Sequence, residues 1–270
     1  MTVTLNLLQA GYCTQYEKLV IRGGANRRIN FPALFGLISH SQYGYILFDT
    51  GYSERFYQET RTFPNRIYAK LAPVTIEQEQ SAVAQLQQMG INASEVQHII
   101  ISHFHPDHIG GLRDFPQARF IYKNSAFKNL KQKNGIAALG NGFLPGLLPE
   151  DFEARSLDIG NYSRIALPEQ YAPFDLGYDI FGDGSLLLIE LPGHAPGQLG
   201  LILSINQEQY FFISDACWLT HSYQTITPPN RIARLITHHW KDYLSTLHRI
   251  NLLHRRCPEM KIIPSHQNKS

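Results

Sequence analysis

The segment Ser102-His103-Phe104-His105-Pro106-Asp107-His108-Ile109-Gly110-Gly111 sets three imidazoles and a carboxylate within six residues. Alternate residues of an extended chain point the same way, so His103 and His105 can reach one metal ion together. The chain must then turn. Gly110 and Gly111 offer it backbone conformations closed to other residues, and Asp107 and His108 can swing round to a second position. Imidazole and carboxylate suit Zn²⁺ and also Fe or Mn, so the donors favour a transition metal without naming it.

More potential ligands stand at strand ends. Leu191-Pro192-Gly193-His194 places a histidine in a tight turn after a strand. Phe211-Phe212-Ile213-Ser214-Asp215 ends on a carboxylate, and Ile262-Ile263-Pro264-Ser265-His266 ends on a histidine. Alone, His194 reads as an ordinary turn residue and Asp215 as a strand cap. Four strands that each finish on a possible ligand form a pattern that packing does not need.

The elements that must position these groups are legible in outline. His98-Ile99-Ile100-Ile101-Ser102 is a short apolar run, as expected of a buried strand. Residues 2–8, 33–38, 44–49, 118–122, 178–191, 198–205, 208–214 and 261–264 read as further strands, the first at an edge. Residues 76–89 show helical spacing, with Gly90 as a C-cap. A short helix is expected near 125–133. A long amphipathic helix is expected over 229–256, from the spacing of Ile232, Leu235, Ile236, Trp240, Tyr243, Leu247, Ile250 and Leu253. Residues 124–175 are rich in Gly, Pro, Asn and Leu with little periodicity, which suggests a lid or insertion. No repeat or linker interrupts the chain, so residues 1–270 read as one domain.

Composition narrows the function classes. The chain carries 24 Lys+Arg against 22 Asp+Glu, a net charge of +2, which argues against a nucleic-acid partner. Charged residues are 17%, below the roughly 25% usual in soluble domains, while 43% hydrophobic residues supply a sizeable core. Cys13, Cys217 and Cys257 form no CxxC pair, so neither a zinc ribbon nor a disulfide framework is expected. The N-terminus lacks a basic n-region and reads as a strand rather than a signal peptide. No apolar run approaches the ~20 residues that span a bilayer. The expectation is a cytoplasmic protein with no membrane partner.

The ordered set His103, His105, Asp107, His108, His194, Asp215 and His266, with its HxHxDH motif, resembles the metallo-β-lactamase superfamily. The match runs from Asp49-Thr50-Gly51 to the C-terminus. The resemblance implies an α/β (α+β) fold, a four-layer αβ/βα sandwich of two mixed sheets flanked by helices. It implies two divalent transition-metal ions, with Zn²⁺ first and Fe or Mn as alternatives. By resemblance His103, His105 and His194 hold one ion. Asp107, His108 and His266 hold the other, and Asp215 bridges them. Asp49 lies beneath the site and supports the metal-binding loops.

Within that superfamily the chain looks like the N-acyl-homoserine lactonase branch, with glyoxalase II as a second relative. The adjacent Asp107 and His108 fit a two-metal hydrolase rather than the flavodiiron pattern. There is one departure. Lactonases of this branch carry Tyr three residues after the bridging Asp, and here that place holds Trp218. An indole donates one N–H but cannot act as a phenol does. Tyr223 or His221 is the expected substitute. Phe104, Trp218, His221 and Leu147 are the expected substrate contacts, with Leu147 and its neighbours lining an apolar acyl pocket.

The chemistry follows from the donors. A metal ion brings the pKa of bound water to roughly 7, giving a nucleophile for an ester-like carbonyl. Asp107, Asp215 and Tyr223 are the expected catalytic groups, with Asp215 or a water passing the proton to the leaving atom. The reading is a dinuclear hydrolase of a small acyl lactone or related ester, working as a monomer or homodimer. The alternatives are a glyoxalase II-like thioesterase and a sulfur dioxygenase-like enzyme with one iron at His103, His105 and His194. A non-catalytic binder of small signals would need a degraded ligand set, and no position is degraded.

Overall fold

Ile46, Phe48, Ile100 and Ile121 alternate along their strands with Leu47, Ile99, Phe120 and Tyr122, and both sets are buried. A sheet whose two faces are both apolar has to be covered on both sides. The same holds further on, where Leu186 and Leu188 alternate with Leu187 and Ile189. This patterning accounts for the architecture of the computed structural model, which describes residues 2–267.

The first sheet contains β1 (Val3–Tyr16), β2 (Arg28–His40), β3 (Gly44–Phe48), β4 (Val74–Thr75), β5 (Val96–Ile100), β6 (Arg119–Tyr122) and β7 (Ser156–Asp158). Their order across the sheet is β4-β1-β2-β3-β5-β6-β7. The second contains β8 (Ile165–Ala166), β9 (Leu176–Asp179), β10 (Leu186–Glu190), β11 (Leu199–Ile205), β12 (Glu208–Ser214) and β13 (Lys261–Pro264), in the order β13-β12-β11-β10-β9-β8. Both sheets are mixed. Strands β3, β5, β6 and β7 run parallel, while β1 and β2 join antiparallel. In the second sheet only β12 and β13 are parallel.

Inward-facing Ile38, Ile46, Phe48, Ile100 and Ile121 meet Leu188, Leu199, Leu201, Phe212 and Ile263 across the sandwich. Helical segments cover the outer face of the first sheet through Leu86, Leu112 and Phe127, joined by Phe143 from a loop. The helix Trp240–Arg256 covers the second with Leu247, Ile250 and Leu253. The result is the four-layer αβ/βα sandwich expected from the resemblance.

Three expectations need correction. The long helix begins at Trp240 rather than 229. The backbone N–H groups of His238 and His239 donate instead to His194 O and Gly193 O, at 2.9 and 2.8 Å, so those residues are committed to the turn that carries His194. Residues 231–235 form only a 3-10 turn, which leaves Leu235 81% exposed. The expected helix over 76–89 is likewise split into a 3-10 turn at Gln78–Gln80 and a helix at Ala82–Gln88 capped by Ser81. Finally, residues 124–175 form the crossing between the sheets rather than the expected lid. Phe143, Leu144 and Leu147 are fully buried against the first sheet, because that apolar outer face needs a cover.

Candidate metal centre

All of the expected ligands leave strand ends at one edge of the sandwich. His103 and His105 follow β5. Pro106 then opens a single helical turn, Pro106–Ile109, with His105 as its N-cap. A proline at that position has no N–H to lose and a preset φ. The turn rotates Asp107 and His108 away from His105. From the second sheet come His194 after β10, Asp215 after β12 and His266 after β13.

These side chains assemble into two overlapping groups. One holds His103, His105, His194 and Asp215; the other holds Asp107, His108, Asp215 and His266. Within each group the ligand atoms lie within 4.8 Å of one another. Asp215 belongs to both. Its Oδ2 lies 3.3 Å from His194 Nε2 and 3.4 Å from His266 Nε2, and its Oδ1 lies 3.5 Å from His108 Nε2.

The donor set fits a pair of cations. His105 Nδ1 faces His103 Nε2 and His194 Nε2, each at 3.0 Å. A ring nitrogen offers one proton or one lone pair, so three converging nitrogens cannot satisfy each other without a shared cation. In the second group His108 Nε2 and Asp215 Oδ1 are buried with no hydrogen-bond partner. Buried polar atoms are seldom left so.

Outer contacts turn the rings. His108 Nδ1 lies 2.8 Å from Asp49 Oδ2; a carboxylate only accepts, so Nδ1 carries the proton and Nε2 faces the centre. His266 Nδ1 donates to Pro32 O at 2.8 Å, again leaving Nε2 inward. Ser102 Oγ and Ser214 Oγ lie 3.1 and 3.3 Å from His103 Nδ1. The Ser214 hydroxyl donates to Ser102 Oγ at 2.8 Å and so joins the two strand ends.

The Asp49 loop carries the motif from below. Asp49 Oδ1 accepts the Ser102 N–H at 2.8 Å. Thr50 N donates to His108 O at 2.9 Å, and Ser53 Oγ donates to Gly110 O at 2.6 Å. Gly110 serves space rather than torsion, against the sequence expectation. Its φ is −58°, but a Cβ there would stand 2.7 Å from Gly51 O and 2.9 Å from Ser53 N. Asp49 and Ser214 themselves have φ of 62° and 50°. That is an uncommon conformation for residues other than glycine, and here it falls at two strand ends that serve the centre.

The groups differ in charge. Burial lowers the pKa of His103, His105 and His194, the last to about 3. These rings are neutral at neutral pH. Burial opposes charge on His108 and His266 as well, but Asp107 and Asp49 outweigh it at His108, and Asp215 and Asp107 at His266. Both are raised. Burial favours protonating Asp107, yet His108 and His266 hold it down at about 2. Asp215 is held well below the carboxylate range in the same way, against its burial, by His266 and His108.

The expected substrate contacts fare less well. Trp218 is at the centre: its Nε1 donates to Asp215 Oδ2 at 3.1 Å, and its ring meets His194 edge-on at 5.9 Å. Tyr223 is not. It is buried on the far side of the second sheet, and its hydroxyl donates to Ile262 O at 3.4 Å. Tyr223 therefore cannot stand in for the missing phenol. His221 is exposed on the same helix, with its ring against Thr225 Oγ1. Phe104 packs into the core against Tyr122 and Phe127, since its position in the alternation faces away from the ligands. Leu147 lies in the same core.

Sequence reasoning passed over Ser102, Ser214 and Pro32. A signal for the first two was present: serine directly precedes the ligand in Ser102-His103, Ser214-Asp215 and Ser265-His266.

A family model described as the metallo-beta-lactamase superfamily matches residues 34–254. The chain belongs to that superfamily. The chain is similar to the N-acyl homoserine lactonase AttM of Azorhizobium caulinodans, 27% identical over 75% of this chain and 72% of that one. A solved N-acyl homoserine lactone hydrolase, with N-hexanoyl-L-homoserine bound at its catalytic metal centre, superposes with a TM-score of 0.73. It is 20% identical and covers 99% of this chain and 94% of that one. AidC, a dizinc quorum-quenching lactonase, superposes at 0.65 with 16% identity, over 98% and 87% of the two chains. No helix of the described residues is long and apolar enough to cross a membrane. The superfamily fold and the two ligand groups are those of a metal-dependent hydrolase.

Proposed function

We propose that this metallohydrolase binds two zinc ions and opens the ring of a small acyl lactone. The observation that carries the reading is the pair of ligand groups sharing Asp215. His103, His105 and His194 would hold one ion and Asp107, His108 and His266 the other. Zinc and an acyl-lactone substrate are supported by the names of the relatives and by the nitrogen-rich donor set. Bound there, two divalent ions supply Lewis acidity, polarising a carbonyl and bringing the pKa of water to about 7.

The chain's own part is to hold and orient. Two carboxylates offset part of the ions' charge and leave a net positive site for a substrate oxygen. His108 and His266 are aimed by Asp49 and the Pro32 carbonyl. With Tyr223 turned away, Asp107 and Asp215 are the groups at the centre that can pass a proton to the leaving oxygen. The second group brings four donors together, and His108 Nε2 makes no hydrogen bond among them. That speaks for two ions over the single iron of a sulfur dioxygenase-like enzyme.

The test pairs metal content with turnover. Protein purified without chelators should carry two ions per chain and open N-hexanoyl-homoserine lactone, followed by acid release. Chelation should abolish turnover and zinc restore it. Faster turnover of a thioester than of any lactone would move the protein to the glyoxalase II-like alternative. One iron with thiol-dependent oxygen uptake would defeat the reading.

A further inference from the structure

Asp215 Oδ2 is ringed by nitrogen: His194 Nε2 at 3.3 Å, His266 Nε2 at 3.4 Å and Trp218 Nε1 at 3.1 Å. These neighbours are not alike. Each imidazole nitrogen is a ligand atom, and in a loaded centre it turns a lone pair to the ion and has no proton for a carboxylate. The indole nitrogen has no lone pair to give and never loses its proton near neutral pH. Trp218 is therefore the one side chain among the described residues that can still donate to the shared carboxylate once ions are bound. It is also restrained. Its ring stands edge-on to His194, 84° between planes, and only Ala216 and Cys217, both buried, separate it from Asp215 in the chain.

We propose that Trp218 is a positioning residue for Asp215. Its N–H fixes the plane of the shared carboxylate against both ligand groups and draws off part of the charge on Oδ2. Trp218 touches the centre through Asp215 and takes no part in bond breaking. Groups that orient metal ligands in this way typically change affinity by about 10–100-fold when removed.

The inference rests on the two-ion reading, and its test separates the two. Zinc alone is titrated into metal-free protein against a chromophoric chelator, for the native chain, Trp218→Phe and Trp218→Gln. Trp218→Phe keeps a ring beside His194 and deletes the N–H; Trp218→Gln deletes the ring and keeps a donor of similar reach. The expected result is zinc binding about 10–100-fold weaker in Trp218→Phe and within a few-fold of native in Trp218→Gln. The metal-free Tm should be unchanged in Trp218→Phe, and the visible spectrum of its Co²⁺ form should shift. Unchanged zinc affinity in Trp218→Phe overturns the inference. Equal losses in both variants, or a loss matched by a fall in metal-free Tm, assign Trp218 a packing role and also overturn it. A native chain that takes up no zinc defeats the two-ion reading itself.

Discussion

The two ligand groups share Asp215 and little else. The first is three histidines that burial keeps neutral. The second sets His108 and His266 against Asp107, with Asp49 behind, and its histidines hold their protons above the ordinary range. One group is poised to bind metal as it stands. The other holds its protons more tightly, so protons compete with metal there up to a higher pH, because only a neutral imidazole is a ligand. Two overlapping groups are thus tuned in opposite directions, and the tuning comes from where the carboxylates lie.

The largest effect is expected where the groups meet. Asp215→Asn weakens a donor of both at once, and turnover should fall by about 10³-fold or more, a loss of at least ~4 kcal/mol of transition-state stabilisation. Metal analysis of the same variant should show less than one ion per chain. Retention of both ions would break the premise that the carboxylate is shared. His105→Ala and His266→Ala divide the groups. Each should cost one ion and nearly all turnover, and full activity in either would remove that histidine from the centre.

Smaller changes address one group each. Asp49→Asn no longer fixes the His108 proton on Nδ1, and zinc affinity at the second group alone should drop about 10–100-fold. Gly142→Ala presses on the first. A Cβ there would stand 2.6 Å from the His105 ring, at a φ of +62°. One of the two zinc-binding steps should weaken, and it should be the step that Asp49→Asn spares. Isothermal titration resolves the two steps, and a variant that moved both equally would show the groups to be one unit.

The subtlest difference is in pH. Zinc binding at the second group should release protons and strengthen as pH rises, while the first group stays nearly flat across neutrality. In the metal-free protein the same shifts shape stability. His108 and His266 lie above the ordinary 6.5, so their contribution is complete below 6.5 and is lost as pH rises through their folded values. His103, His105 and His194 lie below 6.5, so their neutral burial costs nothing above 6.5 and becomes destabilising as pH falls toward about 3 at His194. The metal-free Tm should therefore peak near 6.5. His266→Ala should flatten the alkaline limb and His194→Ala the acid limb; a profile unchanged in both would refute the assignment of limbs to groups.

What could be read from sequence followed the same division between local and distant. His103 to His108 are written within six residues, and their ability to face two ways follows from strand geometry and Pro106. His194, Asp215 and His266 were legible as donors at strand ends, but their convergence was supplied by a family resemblance rather than by spacing. The long helix starts later than its pattern predicts because the apolar spacing of Ile232, Leu235 and Ile236 precedes His238 and His239, whose N–H groups go to the His194 turn and not to a helix. Leu147 and Phe104 depart from expectation for a related reason. An apolar residue beside a site looks the same in sequence whether it faces a ligand or the core, and here the outer face of the first sheet claimed both. Tyr223 offers a phenol in the sequence, and no local pattern reveals that its helix turns that phenol toward β13.

Each ligand group draws on both sheets, His103 and His105 from one with His194 from the other, and Asp107 and His108 with His266. A cation held this way is a rivet through the sandwich as well as a reagent. At a thousandfold excess of free metal over its dissociation constant, one such rivet adds about 4 kcal/mol to the cost of parting the halves, a large share of what holds a domain together. Starved of metal, the cell would hold a looser chain that proteases reach sooner. The abundance of the protein, and not only its turnover, would then track the metal supply.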